Sequence, residues 1–155
     1  MGRIQRFLRF LAKHRFLFYL LQLTWGLPVN LIGALVFLAT LPFAASHKRF
    51  HHCFYSHIGH NWGGFSLGLF IFVDREPSMP TLRHESGHTL QVSLMGVFYL
   101  FLVAIPSAVR YWYREYLANA KRIPYGELAP YDAVWFERQA TEWGSLYEET
   151  KEDQE

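Results

Sequence analysis

Residues 16–45 form an apolar run that is interrupted only at Gly26-Leu27-Pro28. No other feature restricts the fold as much, because so long an apolar segment argues for a bilayer. A proline at that point kinks or restarts a helix. Beyond it, residues 27–45 carry Asn30 and Thr40 as their only clearly polar side chains, and about 20 apolar residues cross a bilayer. The run is longer than the apolar core of a cleaved signal peptide. A second apolar stretch occupies residues 92–109. The fold class expected from these runs is a mainly α-helical membrane protein.

The charges are polarised, although the net charge of the 155-residue chain is only +2. Residues 1–15 hold Arg3, Arg6, Arg9, Lys13 and Arg15 and no acid, with Ile4, Phe7, Leu8 and Leu11 at helical spacing among them. That pattern predicts an amphipathic helix lying in the interface of an anionic bilayer. Nucleic acid is excluded as a partner: no recognition motif accompanies the basic residues, and lipid accounts for the apolar runs. The basic start places the N-terminus in the cytoplasm by the positive-inside tendency, which predicts a location in a membrane that faces the cytoplasm. Lys48-Arg49 and Arg110/Arg114 lie at ends of the two apolar runs, so two full crossings conflict with that tendency. A re-entrant path around Gly26-Leu27-Pro28 relieves the conflict. Cys53 is the single cysteine, which rules out an internal disulfide and a thiolate metal cluster.

The chain reads as one domain over residues 1–155. Residues 47–74 predict a small β-hairpin in which strand 66–73 pairs with 50–57 through the Asn61-Trp62-Gly63-Gly64 turn. Ser78 and Pro80 suit the start of a helix. From residue 81 that helix is expected to run on to about residue 110, into the second apolar stretch. Residues 131–147 predict a further helix, and 148–155 an acidic tail.

The motif that carries chemistry is "HESGH", residues 84–88. Residues four apart lie on one face of a helix, so His84 and His88 present two imidazoles to one point, as adjacent ligands of a tetrahedral zinc require. Glu85 can reach a water there without being a ligand and serve as general base. Ser86 and Gly87 are small, which lets another element pack closely. A third ligand is offered by Glu137 in "WFERQATEWG", one helical turn before the small Ala140. The competing readings are a pair of histidines four apart by coincidence and, for Glu137, a solvated glutamate.

"HESGH" followed by "ERQA" resembles the gluzincin metallopeptidases, whose His-Glu-x-x-His helix is completed by a Glu on a later helix. The membrane-embedded CAAX-type proteases are the nearest functional comparison. The longer patterns "TWGLPVNLIG", "NWGGFSLGLFIF", "HESGHTLQ" and "WFERQATEWG" look like a group of small bacterial membrane proteins. The resemblance implies a minimal zincin-like core of active-site helix, preceding strand and later ligand helix. It also implies one Zn2+ per chain on His84, His88 and Glu137, with Glu85 as catalytic base. Position 141 is Thr where many gluzincins have an Asp that supports the first histidine. Site-two-type proteases complete the same motif with an Asp-Gly pair that this chain lacks.

The expected activity is zinc-dependent hydrolysis of a peptide or membrane-protein substrate. A zinc-binding but non-catalytic assembly protein and a zinc hydrolase of a non-peptide bond are the alternatives. His57, His60 and Tyr131 are candidate contacts to substrate or transition state, with Tyr111, Tyr113 and Tyr125 as further oxyanion donors. His47, His51, His52, His57 and His60 read as interfacial and surface histidines of the hairpin.

Overall fold

The structure is a computed structural model that describes residues 2–147. The expected mainly helical architecture with a small hairpin is not what forms. Helices make up 63% of the described residues, but they pack around a four-stranded mixed sheet, so the architecture is mixed α/β. No single helix among the described residues is long and apolar enough to cross a membrane.

The expected basic helix forms as α1 (Arg3–Lys13), which buries Leu8, Leu11 and Ala12. The apolar segment 16–45 is not one span. It divides into α2 (Arg15–Leu23) and α3 (Leu27–Thr40), bent by 89°. The cause is local: Pro28 opens α3, and the Gln22–Asn30 pair closes the elbow. Asn30 Nδ2 donates to the Gln22 carbonyl and to Gln22 Oε1, each at 2.8 Å. Gln22 Nε2 in turn donates to the Thr89 carbonyl at 2.7 Å. Two buried amides thus satisfy one another across three helices, as a dry interior demands. At 14 residues, α3 is about 21 Å long, short of a hydrocarbon core of about 30 Å.

The sheet has the order β1-β2-β4-β3, with β1 (His47–Phe50), β2 (Cys53–His57), β3 (Gly64–Leu67) and β4 (Phe70–Val73). β1 and β2 form an antiparallel hairpin, β3 and β4 a second, and β2 runs parallel to β4. The expected strand 66–73 is therefore two strands, and its pairing with 50–57 is parallel through β4. Gly68 makes the split. It turns the chain at φ +65°, and a Cβ there would lie 2.3 Å from Asn30 Oδ1, which accepts the Leu69 amide at 2.7 Å. Only glycine meets both demands.

α4 (Met79–Met95) begins as read: Ser78 Oγ accepts the Thr81 amide at 3.2 Å and Pro80 sits in the first turn. It does not continue to residue 110. Gly96 ends it at φ +57°, a π-helical turn follows at Leu100–Ala104, and α5 (Ile105–Asn119) starts with Pro106 in its first turn. Short 3₁₀ turns at Tyr125–Glu127 and Tyr131–Ala133 lead to α6 (Trp135–Gly144) and a last turn, Ser145–Tyr147. The acidic tail 148–155 lies outside the described residues. One core joins α1 and α2 to β2, β4 and α4 through residues such as Leu11, Phe18, Ile71 and Leu90. A second holds Val29, Val92, Tyr99, Val103 and Phe136.

Candidate metal centre

α4 and α6 touch backbone to backbone. A Cβ on Gly87 would lie 1.9 Å from the Ala140 carbonyl oxygen, and one on Gly144 would lie 2.0 Å from that of Arg83. Two glycines at this crossing let the helices approach closely enough for α6 to present a side chain to the first turns of α4. That side chain is Glu137, which is buried completely.

His84, His88 and Glu137 converge, each offering one ligand atom, with the three atoms within 4.8 Å of one another. Glu137 Oε2 is 3.0 Å from His84 Nε2 and 3.3 Å from His88 Nε2. Ligands about 2.0–2.2 Å from a tetrahedral ion stand about 3.3–3.5 Å from each other, close to these separations.

The hydrogen-bond roles show what the group is built for. Thr141 Oγ1 donates to the Glu137 carbonyl at 3.2 Å, so it accepts from His84 Nδ1 at 2.9 Å. The Gln91 amide nitrogen donates to the Phe136 carbonyl at 2.8 Å and to Gln139 Oε1 at 3.0 Å. Its Oε1 is thereby turned to accept His88 Nδ1–H at 2.7 Å. A neutral imidazole has one N–H. Both rings use it at Nδ1, so both Nε2 lone pairs face Glu137 Oε2. Three acceptors aimed at one point repel unless a proton or a metal cation stands among them. The buried group of His84, His88 and Glu137 can hold a metal ion, and Glu137 Oε1, buried without a hydrogen-bond partner, fits the same requirement. Burial opposes ionisation of Glu137, but a hydrogen bond donated from the imidazoles holds its carboxyl well below the usual carboxylate range, a proton there doing what a metal ion would do.

Glu85 stands beside this group, packed against β3. A Cβ on Gly64 would come within 3.1 Å of its Oε1, so the missing side chain makes room for the carboxyl. Glu85 is 4% exposed, and its Oε2 has no hydrogen-bond partner. Burial raises its pKa, partly offset by His88 and His84.

Two cavities meet at Glu85. One is an open cleft of about 650 Å³ whose polar lining includes His84, Arg114, Glu115 and Thr141. The other, about 530 Å³, is lined mainly by apolar groups such as Phe65, Leu67, Tyr99 and Trp112, and by His88. Trp62, Gly64, Tyr111 and Tyr131 line both. The Tyr131 hydroxyl lies 3.1 Å from Ser107 Oγ, and burial pushes its pKa up to about 12. Arg110 Nε donates to the Tyr131 carbonyl at 3.0 Å and fixes that loop on α5.

Of the other candidates, Tyr111 and Tyr125 line the polar cleft. His57, His60 and Tyr113 line neither cavity. His57 is buried, with Nδ1 bonded to the Arg75 carbonyl and its ring stacked on Tyr55. His52 is likewise buried rather than interfacial, its Nε2 bonded to the Ala12 carbonyl. Gln91 and Ser107 escaped the sequence reading. Gln91 had a signal: it lies three residues after His88, hence on the same face of α4.

No family model matches the chain, and no curated protein or solved structure matches it with significance.

Proposed function

We propose that this chain is a zinc-dependent hydrolase of peptide bonds, in the manner of the gluzincins it resembles, working at a membrane of the bacterial cell. One observation supports the reading above the others: His84 and His88, each hydrogen-bonded at Nδ1, turn both Nε2 atoms to the buried Glu137 carboxylate. Nitrogen and carboxylate donors in a near-tetrahedral set favour zinc among common divalent ions. A zinc ion held there supplies a Lewis acid that polarises a carbonyl and acidifies water.

The chain's own groups do the rest. Glu85 Oε2 takes the proton of the attacking water and returns it to the leaving amine. Its buried setting keeps the carboxyl basic enough to accept that proton. Tyr131, protonated throughout the neutral range, donates its O–H to the developing oxyanion. Trp62 and Tyr111 wall the junction of the two cavities and restrict water there. β3 is an edge strand with an unpaired side along which an extended peptide can be held.

The test is elemental analysis and peptide cleavage on wild type, Glu137→Ala and Glu85→Gln. The reading expects about one zinc per chain in the wild type, lost in Glu137→Ala and kept in Glu85→Gln. Cleavage of a quenched fluorescent peptide library should be chelator-sensitive and fall by about 10²-fold or more in Glu85→Gln. Zinc retained without any Glu85-dependent cleavage would leave a non-catalytic metal protein. A metal-free wild type, purified without chelators, would overturn the metal reading.

A further inference from the structure

α3 and α5 carry their apolar side chains outward. The face that α3 buries holds Val29, Asn30 and Gly33, whereas Leu31, Leu35 and Leu38 are exposed, Leu35 by 67%. In α5, Ile105, Val109, Trp112 and Tyr116 recur at helical spacing along one face, and each is more than half exposed. α5 buries no residue at all. This inverts the arrangement of an amphipathic helix on a core.

Shared packing joins the two helices beneath these faces. Val29 of α3, Leu67 of β3 and Leu100, Val103 and Ala104 of the π-helical turn pack in a single apolar cluster between them. Trp25, at the α2–α3 elbow, lies 6.2 Å from Phe98 between ring centroids, and both rings are exposed. An apolar surface of this extent marks an interaction site.

The charges around it identify the occupant. Residues 16–46 contain no charged side chain, and no acidic residue precedes Asp74. Arg3, Arg6, Lys13 and Arg15 are exposed at this end of the chain, as are Lys48 and Arg49 on β1. The α5 stripe carries the exposed aromatics Trp112 and Tyr116, with the exposed Tyr113 beside them. An uncharged apolar helix together with cations and amphipathic aromatics is the chemistry that an anionic lipid surface selects. Residues 148–155, "EETKEDQE", offer no apolar side chain to cover the face instead.

The apolar cavity belongs to this surface. Its lining residues Phe65, Ala108 and Trp112 are exposed, and Trp112 is itself a member of the α5 stripe. We propose that the α3–α5 face seats in one leaflet of an anionic bilayer without crossing it, and that the apolar cavity admits a segment of a membrane-embedded polypeptide from the lipid side to Glu85 and His88. The second half rests on the peptidase reading; the seating does not.

Sedimentation of the full chain with extruded vesicles tests it, using phosphatidylcholine alone and phosphatidylcholine with about a third phosphatidylglycerol. Metal-free protein and Glu85→Gln are included, so that lipid binding is read apart from hydrolysis. Binding to the anionic vesicles should exceed that to neutral ones about tenfold and weaken several-fold in about 0.5 M salt. Leu31→Ser/Leu35→Ser/Leu38→Ser and Ile105→Ser/Val109→Ser should each lower binding about tenfold, with circular dichroism and metal content unchanged. Quenching of tryptophan emission by brominated lipid should diminish in Trp112→Phe. Wild type left in the supernatant would overturn the proposal, as would serine variants that bind undiminished. A dimer that the serine variants dissociate, without vesicle binding, would assign the face to a second copy. Vesicle binding without any peptide cleavage would keep the seating and remove the substrate.

Discussion

Gln91 Oε1 accepts the Nδ1–H of His88 at 2.7 Å, from one turn further along the same helix. Gln91 cannot rotate away, because its amide nitrogen is held by the Phe136 carbonyl on α6. One side chain therefore selects the tautomer of a ligand and joins the two ligand helices. Gln91→Leu removes the acceptor while keeping the volume. On the zinc reading, affinity for the ion should fall about 10–100-fold, the usual effect of losing a group that orients a metal-bound histidine. Competition with a chromophoric chelator measures it, and unchanged affinity would reduce Gln91 to a packing role.

Gly87 is the point at which α4 admits α6. In Gly87→Ala the new methyl would lie 1.9 Å from the Ala140 carbonyl oxygen, and backbone cannot swing aside as a side chain can. Forced separation should destabilise the protein by about 3 kcal/mol or more, at the upper end for overpacked sites. A thermal melt should show a lowered midpoint, and zinc stoichiometry should fall with it because Glu137 moves off the histidines. A melt within about 1 °C of wild type would contradict this packing.

Asn30 holds the elbow and the β3–β4 turn together, with Nδ2 on Gln22 and Oδ1 on the Leu69 amide. Asn30→Ala leaves those buried partners unmatched. Each unmatched group costs about 1–3 kcal/mol, so a loss of about 2–4 kcal/mol is expected in urea unfolding, without a change in metal content. Asn30→Asp keeps Oδ1 for Leu69 but loses the donor, and should recover part of the loss below neutral pH.

Cys53 is wholly buried on β2, and burial pushes its thiol up to about 12. The thiolate is the reactive form, so alkylation by iodoacetamide at about pH 8 should be at least about 100-fold slower in folded than in urea-unfolded protein. The linkage has a definite sign. A folded-state pKa raised above the unfolded value contributes stability that is complete below about pH 8.5 and declines as pH rises toward 12. Cys53→Ala should remove that alkaline decline. Rapid alkylation of the native protein would show that β2 opens readily.

Much of the candidate site was legible because helical spacing is local. His84 and His88 had to share a face of α4, Ser78 and Pro80 marked its start, and the small residues Gly87 and Ala140 signalled a close crossing. The sheet was not legible in the same way. Each strand has four or five residues, and the parallel pairing of β2 with β4 depends on contacts remote in sequence. Gly68 and Gly96 were visible as glycines, but their left-handed turns are set by Asn30 and by Trp25, which press on them from other helices. The reading of residues 27–45 as one continuous apolar helix missed the bend before it for a related reason. Apolar content reports that a segment avoids water, and carries no information about the 89° bend that two buried amides impose.

The backbone contact between α4 and α6 has a kinetic consequence. Gly87 against Ala140 and Gly144 against Arg83 hold the ligand-bearing turns at a spacing that no side-chain rearrangement can alter. A metal ion bound there would meet a cage already set by backbone packing. Ion exchange should follow the breaking of individual coordination bonds rather than a refolding step, and an emptied chain should keep its shape and recapture an ion at once.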